Sequence, residues 1–66
     1  LNILYGMKGC AQCMVLKDIL EQKDIAFAYV TDKEELQKQN LRSVPWLFAD
    51  GRMMKFGEAL EWAMEQ

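Results

Sequence analysis

Leu1-Asn2-Ile3-Leu4-Tyr5-Gly6-Met7-Lys8-Gly9-Cys10-Ala11-Gln12-Cys13-Met14-Val15-Leu16 is the most informative stretch of this chain. Leu1 to Tyr5 is short and apolar, as expected of a buried parallel strand. Gly6 to Gly9 forms a loop that presents the cysteines, its glycines permitting backbone shapes that other residues resist. From Cys10 to about Lys23, the apolar residues Val15, Leu16, Ile19 and Leu20 recur at helical spacing, and Met14 reads as core filling. Lys17, Asp18, Glu21 and Gln22 fall mostly on the opposite face. A strand therefore feeds a helix whose first turn carries C-x-x-C, a spacing that points to thiol–disulfide exchange.

The physical reason lies in the helix start. A helix N-terminus presents unpaired N–H groups and about half a positive charge, which favour an anion placed there. Cys10 should then ionise more readily than a free thiol, whose pKa is about 8.5, and the thiolate is the nucleophile. Cys13, one turn inside, is placed to close a disulfide once Cys10 has attacked a partner. Other roles for the pair are weaker or different in kind. Zinc takes four ligands, whereas this chain has two cysteines and no histidine. A disulfide closing so short a loop adds little stability. Two inert cysteines acting as small hydrophobes remain the plain alternative.

Composition narrows the function classes. The 66 residues predict one domain near the lower limit for a self-sufficient core. With 52% hydrophobic residues, the chain has enough apolar material for one small sheet and its covering helices. The net charge of -2 and the absence of a basic block argue against a nucleic-acid surface. No apolar run approaches the ~20 residues that span a bilayer, and no signal-peptide pattern is visible. A lone C-x-x-C is also unlike the cysteine framework of small secreted proteins. The expectation is a soluble, monomeric, cytoplasmic protein with no bound cofactor or metal.

Further along, Ile25 to Val30 reads as a second strand, completing a strand–helix–strand unit. Thr31 and Glu34 fit a capping box for a short helix, with Glu34 and Lys38 spaced for an ion pair. Leu41-Arg42-Ser43-Val44-Pro45-Trp46-Leu47-Phe48 leads into a third strand, with Pro45 at its entrance. Asp50-Gly51 predicts a hairpin joining about Trp46–Ala49 to Arg52–Phe56. Gly57-Glu58 introduces a last helix, whose buried stripe is assigned to Leu60, Ala63 and Met64, with Trp62 partly covered.

This βαβαββα order resembles the glutaredoxin family over essentially the whole chain. The matching landmarks are Tyr5 and its loop, Cys10-x-x-Cys13-x-x-x-Lys17, Ser43-Val44-Pro45, and a hairpin followed by a Gly-led helix. The resemblance implies an α/β thioredoxin-like fold, a four-stranded mixed sheet flanked by three helices. It also implies a cis Pro45 lying against the cysteine pair, so that Val44 faces an incoming thiol substrate.

Two electron donors follow from the resemblance. Dithiol glutaredoxins draw on glutathione through a basic loop residue, the Val before Pro, and a turn at the last helix. The corresponding residues are Lys8 (one position away from the usual basic residue), Val44 with Arg42 nearby, and Gly57-Glu58, a loose match to the usual turn. Cys-Ala-Gln-Cys instead resembles the hydrogen-donor redoxins, which take electrons from thioredoxin reductase and pass them to ribonucleotide reductase. The characteristic ending of that group is absent here, and both donors remain open.

The implied activity is reduction of protein or mixed disulfides by Cys10 and Cys13. Ala11 and Gln12 flank the reactive sulfur, while Tyr5, Val44, Pro45 and Trp46 are candidates for the substrate groove. For Tyr5 and Trp46, core packing is the competing assignment. The alternatives from other classes are an iron–sulfur dimer bridged by thiolates, which needs four thiolate ligands, and a redox-inert adaptor.

Overall fold

The computed structural model describes all 66 residues. The elements are β1 (Ile3–Tyr5), α1 (Ala11–Gln22), β2 (Ala28–Val30), α2 (Lys33–Lys38), β3 (Trp46–Ala49), β4 (Arg52–Met54) and α3 (Phe56–Met64). They form a four-stranded mixed sheet in the order β2-β1-β3-β4, accompanied by three helices. β1 runs parallel to β2 and antiparallel to β3, and β4 returns antiparallel beside β3. The expected α/β element order is present.

Register explains where the core lies. Tyr29 pairs with Leu4, Leu4 with Leu47, and Leu47 with Met54, giving one row of side chains across all four strands. Because side chains alternate along a strand, this row faces one side of the sheet. Leu4, Leu47 and Met54 are fully buried there with Ala49, and Leu16 and Leu20 of α1 and Ala59, Trp62 and Ala63 of α3 complete the cluster. The neighbouring row, Ile3, Phe48 and Met53, is only half-buried.

The hairpin turn at Asp50-Gly51 has φ of 51° and 74°, so both central residues are left-handed. That is the backbone of a two-residue turn whose twist matches the flanking strands, and glycine adopts it without a Cβ penalty. Trp62 Nε1 donates to Asp50 Oδ2 at 2.9 Å and ties α3 to the same turn.

Several boundaries and faces differ from the sequence expectation. β2 begins at Ala28 rather than Ile25 because Ile25 belongs to the stop signal of α1. Asp24 adopts φ 55°, its N–H donates to Glu21 O, and Ile25 N–H donates to Leu20 O at 2.9 Å. This is a Schellman closure, and Ile25 packs against the core cluster that holds Leu20. α2 ends the same way: Asn40 at φ 58° donates to Gln37 O, and Leu41 N–H to Leu36 O.

At the other end of α2, the cap is Asp32, not Thr31, and its Oδ1 accepts from Glu34 N at 3.0 Å. Both residue types cap well, but the carboxylate adds a favourable charge at the positive helix end. Lys38 pairs with Glu35 at 3.4 Å instead of with Glu34.

In α1 the inward face is Cys13, Leu16 and Leu20, which leaves Met14 and Val15 48% and 45% exposed. α3 starts at Phe56 because Lys55 already has extended, cap-like dihedrals, and this shortens β4 to Arg52–Met54. Its buried stripe is Ala59, Trp62 and Ala63; Leu60 is partly covered and Met64 is exposed.

Candidate functional site

Cys10 is the N-cap of α1, with extended dihedrals of φ -88° and ψ 111°. At this position its carbonyl accepts the first intrahelical bond, from Met14 N at 3.2 Å. Its side chain acts as the cap: Sγ accepts the Cys13 amide at 3.1 Å. Sulfur thus occupies the place that a serine or aspartate oxygen fills in other helices. The 12 residues of α1 align their dipoles toward that point.

Cys10 and Cys13 are joined as a disulfide, with Cα atoms 5.3 Å apart. The two sulfurs differ in access. Cys13 is 0% exposed, while Cys10 is partly exposed between the exposed residues Gly9, Ala11 and Gln12. An incoming molecule therefore meets Cys10 first.

The floor beneath the pair is set by Gly6, which is buried and donates its N–H to Val30 O at 2.9 Å. A Cβ at Gly6 would lie 3.2 Å from Cys13 Cβ and 2.8 Å from the Tyr29 ring edge and hydroxyl. A side chain here requires the Tyr29 ring end to move and the buried cysteine to give way. Lys17 lies 6.0 Å from the Tyr29 ring centroid and is also paired with Glu21 at 3.1 Å.

The Val44–Pro45 peptide bond is cis. Val44 and Pro45 border a cavity of about 290 Å³ together with Gln12, Ser43, Trp46, Lys55 and Phe56. This cavity brings the cysteine motif, the proline segment and the approach to α3 to one place. Lys55 and Phe56 were not singled out by sequence. Lys55 Nζ stands 5.7 Å from the Trp46 ring centroid, across the β3–β4 hairpin.

The remaining residues named from sequence are distributed as follows. Tyr5 is 6% exposed within β1, opposite Trp46, and borders no cavity. Lys8 and Arg42 are exposed and border two further depressions beside Met7. Gly57 and Glu58 are exposed in the first turn of α3, and Glu58 lies 4.0 Å from Arg52. They border none of the cavities. Ala11 is exposed on the first turn of α1, next to Cys10.

No group of three or more His, Cys, Asp or Glu side chains is arranged to hold a metal ion. No helix is long and apolar enough to cross a membrane. A scan of family models, a search of curated proteins and a search of solved structures each find no match to this chain.

Proposed function

We propose that this protein is a thioredoxin-fold, glutaredoxin-like dithiol–disulfide oxidoreductase that reduces protein or mixed disulfides through Cys10 and Cys13. One observation carries the reading: a closed disulfide whose outer sulfur caps a helix, while its inner sulfur is fully buried. A disulfide placed only for strength has no need of such asymmetry.

In the reduced protein, the Cys10 thiolate attacks one sulfur of a substrate disulfide. The substrate S–S bond breaks, and the departing sulfur leaves as a thiolate that takes up a proton. Cys13 then gives up its proton and attacks Cys10 Sγ, which breaks the mixed disulfide and releases the second substrate thiol. Two electrons have passed to the substrate, and the Cys10–Cys13 bond of the structure is formed. The amide of Cys13 and the α1 dipole favour the Cys10 thiolate both as attacker and as the sulfur expelled when the pair is reduced again.

Glutathione or thioredoxin reductase would supply the returning electrons, in a reducing compartment such as the cytoplasm. A protein disulfide, ribonucleotide reductase among the candidates, would receive them. Val44, Pro45, Gln12 and Trp46 line the adjacent cavity and are the surfaces against which the substrate rests.

The test is reduction of insulin followed through NADPH consumption, first with glutathione and its reductase and then with thioredoxin reductase. Turnover with one system is expected and assigns the donor. A redox-inert adaptor gives none with either, and the reduced protein then leaves insulin intact even in stoichiometric amount.

A further inference from the structure

α1 and α3 lie side by side and run parallel. At their starts, Gln12 and Phe56 border one cavity. At their ends, Lys23 Nζ donates to Met64 O at 3.0 Å and to Gln66 O at 3.2 Å. Between these points, Val15 and Ile19 continue the line from Gln12 to Lys23 along α1 at helical spacing, and Leu60 continues the line from Phe56 to Met64 along α3. Lys17 turns the other way, 6.0 Å from the Tyr29 ring centroid on β2. The two lines form an apolar seam about 12 Å long, the rise of roughly two helical turns. Ile19, Phe56 and Leu60 are half-buried against the core, whereas Val15 and Met64 are 45% and 64% exposed.

The rim of this seam is acidic. Asp18 stands one turn beyond Val15, and Glu61 one turn before Met64, so each neighbours the seam on the outer helix surface. Both are exposed and take part in none of the ion pairs. The cations of these helices and their caps are engaged elsewhere: Lys17 with Glu21, Lys23 with the α3 carbonyls, and Lys55 beside the Trp46 ring. A second copy docked face to face would bring one acidic rim against another with no free cation between them, which costs affinity. The seam therefore calls for a partner of opposite charge, and a two-turn apolar groove between helices suits an amphipathic helix laid into it.

We propose that the α1–α3 seam docks a basic amphipathic helix of a partner protein. Its apolar stripe covers Val15, Leu60 and Met64, and its lysines or arginines face Asp18 and Glu61. The seam uses neither sulfur, so docking there goes beyond disulfide reduction and is read with the Cys10–Cys13 bond closed.

The experiment titrates the oxidised protein into fluorescein-labelled amphipathic peptides and follows anisotropy. One peptide has leucines at i, i+4 and i+7 with lysines beside them, one has glutamates in place of the lysines, and one has serines in place of the leucines. The lysine–leucine peptide should bind about tenfold more tightly than the glutamate peptide at low salt, with the ratio shrinking as salt rises. It should also bind about tenfold more tightly than the serine peptide.

Val15→Gln combined with Met64→Gln, both at exposed positions, should weaken the lysine–leucine peptide by about tenfold. Met14→Gln, on the opposite flank of α1, should leave its affinity unchanged. Glu61→Lys should bring the lysine-to-glutamate ratio close to one, while Glu34→Lys, an equal charge change on α2, should preserve it. No binding of the lysine–leucine peptide, equal affinity for the lysine and glutamate peptides, or an equal loss in Met14→Gln or Glu34→Lys overturns the proposal. A dimer seen by sedimentation in the parent and lost in the Val15→Gln, Met64→Gln variant also overturns it, because a second copy then occupies the seam.

Discussion

Cys10 Sγ accepts a hydrogen bond from the backbone amide of Cys13, 3.1 Å away, so the two cysteines are linked through the helix start as well as through sulfur. The bond orders their roles. The sulfur that receives the amide is the one solvent reaches, and the residue that donates it keeps its own side chain fully buried.

The first expected outcome follows from that order. In the reduced protein at neutral pH, alkylation should label Cys10 well before Cys13, as read by mass spectrometry of the digested chain. Cys13→Ser should accumulate a stable mixed disulfide on Cys10 when given a disulfide substrate, because no second thiol remains to displace it. Cys10→Ser should accumulate none and lose all reductase activity. Equal, slow labelling of both cysteines would remove the basis for the mechanism.

Gly6 supplies a test of the site's floor. A methyl group there meets Cys13 Cβ at 3.2 Å and the Tyr29 ring at 2.8 Å. The ring end can swing aside, but Cys13 is held by α1. Overpacking of this kind typically costs about 1–3 kcal/mol. Gly6→Ala should lower the unfolding free energy by that amount, read as a lower urea midpoint with the slope of the transition unchanged. Gly57→Ala, where nothing lies within 4 Å of the added carbon, should be no less stable than the parent.

How much of this was legible beforehand depends on whether a signal was local. The Asp50-Gly51 hairpin was, because both positive dihedrals are a demand on residue type within the turn itself. The placement of Cys10 at a helix start was legible for the same reason. The α2 cap lies one residue beyond the expected Thr31 because Thr31 and Asp32 both qualify and each has a glutamate three residues on, Glu34 or Glu35. Ile25 looked like strand from its side chain, but its backbone closes α1. Lys55, Phe56 and Met7 carry no local mark. They reach the cavities only because α3, the hairpin and the first loop converge in space. The cis bond before Pro45 was expected from family resemblance, not from the residues themselves.

Asp50 does two jobs, and substitutions can separate them. It holds φ 51° in the turn and accepts the Trp62 indole N–H at 2.9 Å. Asp50→Asn keeps a residue tolerant of the left-handed region and keeps a carbonyl acceptor, so it should stay within about 0.5 kcal/mol of the parent. Asp50→Ala loses the acceptor, leaves the largely buried indole N–H unpaired and strains the turn, at a combined cost of about 1–3 kcal/mol. Urea denaturation followed by tryptophan fluorescence measures both.

The α2 cap gives a paired comparison on adjacent residues. Asp32→Ala removes the Oδ1 that accepts Glu34 N at 3.0 Å and should cost about 1 kcal/mol. Thr31→Ala touches no cap bond and should cost under about 0.5 kcal/mol. If the two losses were reversed, the helix would begin one residue earlier in solution.

The outward face of α1 carries apolar residues beside Gln12, Asp18, Glu21 and Gln22. Met14 and Val15 recur with Ala11 at helical spacing beside Cys10, all exposed, whereas Leu16 and Leu20 on the opposite side are fully buried. Hydrophobic identity could not reveal this rotation, because both faces offer apolar residues; the packing of Cys13, Leu16 and Leu20 on the sheet side decides it. The two faces should therefore respond differently to substitution. Leu16→Ala opens a cavity in the main core cluster and should cost about 2–5 kcal/mol. Met14→Gln replaces an exposed thioether with a residue of similar helix propensity and should cost under about 0.5 kcal/mol by urea denaturation. A loss of 2 kcal/mol or so at Met14 would mean that α1 is turned about its axis relative to the structure, and Cys13 could then no longer be the buried member of the pair.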